Sequence, residues 1–111
     1  MTDEVTLARV RRLLAGRDDV VEKRMVGGLS FNLGDQMFCG VTRRGLVVRV
    51  GADAVAAATA EPHVTRMLLG GKALAAFVLV EPAGYADDEA LEAWLARGLA
   101  FVSQAAGRER Q

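Results

Sequence analysis

The sequence predicts an α+β domain: a two-layer antiparallel sheet with helices packed on it, in the order helix, strand group, short helix, strand pair, C-terminal helix. Three observations carry this. Between residues 20 and 50, apolar and polar residues alternate at period two, broken by glycine-containing turns, which is the pattern of half-buried strands. Near both ends of the chain, at Leu7, Val10, Leu13 and Leu14 and again at Leu91, Trp94, Leu95, Leu99 and Val102, apolar residues recur at three and four, the period of an amphipathic helix. Between these blocks, the alanine-rich run 52–60 has high helix propensity and is stopped by Pro62.

The first helix is expected over about residues 3–15, with Gly16 as its C-terminal cap. Val21, Lys23 and Met25 then alternate against Glu22 and Arg24, so this strand carries charge on both faces and belongs at a sheet edge. Gly27 and Gly28 permit a sharp turn into the next strand. A phosphate cradle would need a helix after them, and a strand follows. Leu29, Phe31 and Leu33 share one face, and Gly34-Asp35 makes a two-residue hairpin turn. Met37, Cys39 and Val41 are expected to continue the inner face, leaving Gln36, Phe38 and Gly40 outside. Arg43, Arg44 and Gly45 turn the chain into the β-branched run 46–50. A further hairpin spans 67–80 around Gly70-Gly71, with Leu74 and Phe77 blurring its register. Asp87 is an N-cap, and the last helix runs over about 88–105, with Gly98 on its inner stripe marking close approach of a strand. Residues 107–111 form a polar tail.

At 111 residues the chain is read as one domain, large enough for a core without a metal or disulfide. Lys plus Arg and Asp plus Glu are 14 each, so the net charge is zero, which argues against direct DNA binding. The lone Cys39 cannot make an intrachain disulfide and lies in a strand pattern, fitting a buried thiol in a reducing compartment. The acidic N-terminus lacks the apolar run of a signal peptide, and no segment has the length of a membrane span, so a cytoplasmic location without membrane association is expected.

Catalytic and metal chemistry leave little trace. One His and one Cys, with no CxxC, HExxH or EF-hand spacing, predict no metal site and no cofactor. Ser30 and Ser103 lack a GxSxG context, so no catalytic residue is assigned. Glu22, Lys23, Arg24, Arg49, Glu61 and His63 cluster at strand ends in the linear reading. Cross-strand ion pairs explain them most simply, and a ligand cleft lined by Lys23, Arg49 and His63 is the functional alternative. Arg9, Arg11, Arg12 and Arg17 form a second candidate, a basic surface on the first helix for an acidic partner or phosphate backbone.

The runs EKRMVGGLSF, QMFCGV, GLVVRVG, EPHV, FVLVEPAG and DDEALEAWLARGLAFV, in this order, resemble the N-terminal domain of the TfoX/Sxy family of bacterial competence regulators. Lys23, Met25, Gly27, Gly28, Phe31, Cys39, Gly40 and Arg49 carry the likeness. Val26 stands where an aromatic is common, and Leu68-Leu69-Gly70 replaces a more polar stretch. The resemblance implies the α+β architecture above over residues 1–111, as a stand-alone N-terminal domain, with no catalytic residues. It further implies a non-enzymatic interaction module acting as an accessory transcriptional regulator through a protein partner, a transcription factor or polymerase subunit. A small-molecule binder or enzyme using the Lys23, Arg49 and His63 cleft is the alternative. Self-association as a homodimer would use Phe38, Val47 and Val78, placed on the nominal outer face of the strands.

Overall fold

The period-two segments all form strands: β1 (Val20–Met25), β2 (Gly28–Leu33), β3 (Gln36–Thr42), β4 (Gly45–Arg49), β5 (Val64–Leu69) and β6 (Lys72–Val80). They build one six-stranded sheet in the order β1-β2-β3-β4-β6-β5, antiparallel throughout. The helices are α1 (Glu4–Leu13), the short α2 (Val55–Thr59), entered through a 3-10 turn at Ala52–Ala54, and α3 (Asp88–Glu109), which follows a 3-10 turn at Pro82–Tyr85. This computed structural model describes residues 4–25 and 27–109, with side chains described through residue 104. The expected α+β order is observed.

Local signals act as their chemistry dictates. Gly27 and Gly34 take φ of 84° and 63°, and each lies in a turn between strands. Asp87 caps α3: its Oδ1 accepts the Ala90 amide at 2.7 Å. Two helix ends differ from expectation. Gly16 is not among the glycines with positive φ; α1 instead winds out through three-residue turns, Ala15 N–H to Arg12 O and Arg17 N–H to Leu14 O. The backbone of α3 continues to Glu109, through most of the segment read as a polar tail, because Ala105 and Ala106 favour helix and one glycine costs only about 1 kcal/mol. Arg110 and Gln111, and Asp3 at the expected start of α1, lie outside the described residues.

Paired residues of antiparallel strands share a face. Two rows, Phe31-Cys39-Val48-Val78 and Leu29-Val41-Leu46-Val80-Val64, therefore line the helix side. They form the core with Leu7 and Val10 of α1, Val55 and Ala58 of α2, and Leu91, Trp94, Leu95 and Val102 of α3. Phe38 belongs to this core, fully buried, and does not lie on the outer face. The reason is a β-bulge: the register shifts between Phe31 and Asn32, so that Phe31 pairs with Cys39 and Asn32 with Met37. Phe38 is the extra residue, and it turns inward while Met37 turns out. Val78 is likewise a core residue. A second irregularity between Arg66 and Leu68 resolves the blurred hairpin, and beyond it Leu68 pairs with Ala73.

Candidate functional site

The other sheet face is built by the row Lys23-Ser30-Gly40-Val47-Leu79-Thr65, one residue from each strand. Val47 and Leu79 are buried, yet neither belongs to the helix-side core. Next to this row stand Met25, Met37, Phe77 and Arg49. A Cβ on Gly40 would lie 2.6 Å from Met25 Cε and 2.8 Å from Met37 Cε, so the missing side chain is the space the two thioethers fill. Toward the β1 edge the face is polar and internally bonded. Asn32 Nδ2 donates to Val21 O (3.1 Å) and Ser30 Oγ (3.0 Å), and Ser30 Oγ donates to Lys23 O (3.2 Å). These bonds tie the edge strand to its neighbour.

Arg49 ends β4 on the same face, opposite Phe77. Its guanidinium lies 5.7 Å from the centre of the Phe77 ring and 5.6 Å from that of Phe101 in α3. Its hydrogen bonding is poor: Nη1 donates to Gln36 Oε1 over 3.4 Å, and the buried Nε has no partner among the described residues. Among the described residues, neither Lys23 nor Arg49 has a carboxylate within ion-pair distance. The face can therefore meet apolar side chains through the half-buried Met25, Met37 and Phe77, and a negatively charged group at Lys23 and at Arg49.

The topology separates the three residues of the expected cleft. Lys23 is on edge strand β1 and His63 just precedes the opposite edge strand β5, five strand spacings or roughly 24 Å away. Arg49 pairs with Phe77, whereas His63 stands level with Glu81, four residues or roughly 13 Å along the strand direction. His63 has a φ of 66° and its carbonyl accepts the Glu81 amide at 2.8 Å. It lines a different hollow of about 380 Å³ together with Glu61, Pro62, Trp94 and Arg97. There Arg97 pairs with Glu61 at 2.9 Å and stacks 4.1 Å from the Trp94 ring.

The four arginines of the expected basic surface are each held by a carboxylate. Arg9 Nε and Arg12 Nη2 bind the two oxygens of Asp88 at 2.9 and 2.6 Å, Arg11 holds Glu22 at 2.7 Å, and Arg17 holds Asp19 at 3.0 Å. Arg9 also donates to the Tyr85 carbonyl, fastening α1 to the start of α3. The ion pairs of Glu22 and Glu61 thus run to helices, not across strands. Linear order hid this, because Arg9 and Asp88 are 79 residues apart.

Arg12 and then Arg9 hold the Asp88 carboxyl below the usual carboxylate range. A depressed carboxylate stabilises the fold fully above its unfolded value of about 4 and loses that contribution as pH falls through its lower folded value. Asp88→Asn is therefore expected to be less stable than the parent at neutral pH, with the gap closing below about pH 4. Melting curves at pH 7 and pH 3 check this, and a constant gap would contradict it. The Cys39 thiol is fully buried, and burial pushes its pKa up, so it stays protonated inside the core.

Alternation places Gly40 on the outer face, as observed, but puts Met37 inside, and nothing in the linear pattern singles out Arg97. Met25 and Lys23 were legible as alternating edge residues, but the side chosen by Met37 depends on the bulge. No helix of the described residues is long and apolar enough to cross a membrane. No curated protein and no solved structure matches the chain. The family model described as TfoX N-terminal domain matches residues 12–102. That span is most of the 111 residues, and it contains the whole sheet and the apolar face of α3, so the chain belongs to the TfoX N-terminal domain family.

Proposed function

We propose that this chain is a non-enzymatic interaction module that acts as an accessory transcriptional regulator through contacts with a protein partner. The observation that carries the reading is the sheet face left outside the helix-side core, with Met25, Met37 and Phe77 around Val47 and two cations without carboxylates at its margins. Methionine, aromatic residues and arginine are the residue types enriched where proteins meet. Family membership supports the regulatory part of the reading, since this is a competence-related regulatory module family.

The partner is a transcription factor or a polymerase subunit. Affinity capture of the tagged chain from its host, with and without nuclease, followed by mass spectrometry, tests this. Nuclease-resistant recovery of such a protein is the expected result. Recovery of bait alone in both samples would count against the regulatory role.

A further inference from the structure

The ionic groups of the molecule are divided unequally between its two sides. Among the described residues, four of the five ion pairs involve α1 or α3, and the fifth lies in the loop between α1 and β1. On the opposite sheet face the register places Lys23 and Arg49 and no Asp or Glu. Arg49 is the more informative of the two. Among the described residues its buried Nε has no hydrogen-bond partner, Nη1 makes only a long bond to a neutral amide oxygen, and two phenylalanine rings hold the guanidinium. A buried donor left unmade is costly, and a half-buried guanidinium without an anion is a poor end state for a folded surface.

We infer that this sheet face is the docking surface for a segment of a partner protein whose apolar side chains cover the half-buried Met25, Met37 and Phe77 and whose carboxylates meet Arg49 and Lys23. The inference rests on the reading of the chain as a protein-contact module and specifies which side makes the contact and what chemistry it selects. Charge decides the occupant. A second copy placed face to face would oppose Lys23 and Arg49 to the same cations with no carboxylate on either face, and like-charge juxtaposition is unfavourable. An acidic, amphipathic segment satisfies both cations. Arg49, held between rings and short of acceptors, is the anchor; Lys23, on the exposed edge strand, acts through charge alone.

The test is selection of a randomised peptide library displayed on phage against the full chain. Peptides rich in apolar residues flanked by Asp or Glu are the expected recoveries. Their affinity falls with salt, and they shift the methyl signals of Met25 and Met37 and the ring signals of Phe101 beside Arg49, while leaving α1 and the start of α3 unchanged. Arg49→Gln weakens them by roughly tenfold or more, and Arg49→Lys by less. Lys23→Glu, an exposed substitution that leaves folding unaffected, weakens them by roughly three- to tenfold.

Peptides lacking carboxylates, peptides that bind Lys23→Glu as tightly as the parent, shifts confined to α1 and the start of α3, or no enriched sequence would each overturn the assignment. Concentration-dependent shifts of the two methionine methyls without peptide would give the face to a second copy instead. A failed host capture beside successful peptide binding would discard the regulatory role and keep the surface. The reverse would keep the role and move its surface elsewhere.

Discussion

Replacing Gly98 with alanine is expected to destabilise the protein, although alanine is the better helix former. A Cβ built on Gly98 would overlap the carbonyl oxygen of Phe38 and come within 3.2 Å of its carbonyl carbon. These are backbone atoms of a central strand, and they cannot rotate away as a side-chain tip could. Overpacking of this kind costs about 1–3 kcal/mol, while the gain in helix propensity returns about 1 kcal/mol. For the larger Gly98→Val, which also loses the propensity gain, a net loss of about 3 kcal/mol is expected, lowering the melting temperature by roughly 10 °C or more. Gly16→Ala is the control: nothing lies within 4 Å of the new Cβ and the backbone there has no positive φ. It should be neutral or stabilise by up to about 1 kcal/mol. If both alanine variants melt like the parent, α3 does not approach β3 as closely as described.

Phe38→Ala carries the largest effect. Phe38 is fully buried between β3 and α3. Removing such a ring costs about 3–5 kcal/mol through lost transfer energy and the cavity left behind. Since a domain is commonly stable by about 5–15 kcal/mol, this is a large share of the total. Met37→Ala, one residue earlier, truncates a half-buried side chain on the other face, and about 1 kcal/mol is expected. Urea denaturation of the two variants separates the bulged strand from a regular one. Strict alternation places Met37 inside and Phe38 outside, and would reverse the order of the two losses.

The two variants also report on how the functional surface is made. Because Phe38 takes the inward position, Met37 is freed to stand beside Met25 over Gly40. One extra residue in β3 thus fills the core and supplies the open face with a polarizable apolar side chain. The same strand approaches α3 so closely that its neighbour must be glycine. Stability and surface chemistry are coupled through this bulge, so variants of the docking face should be made at Lys23 and Arg49 rather than in β3.

The sequence by itself determined the α+β class and the order of elements, since the switch between periods of two and three-to-four residues is a local property of the backbone. It also determined the Gly34 hairpin, the Asp87 cap and the close approach at Gly98, each a short-range demand of one residue type. Tertiary structure alone decided the rest. The bulge that reverses Met37 and Phe38 depends on what β3 meets in β2 and α3, which alternation cannot express. The pairing of β6 rather than β5 with β4 put His63 at the far edge and broke up the cleft with Lys23 and Arg49. The basic helix face was paired with carboxylates such as Asp88, distant in sequence and adjacent in space, whereas the fold set the Arg49 guanidinium between two phenyl rings and not beside an acid. Charges act through space, and only the fold sets those distances.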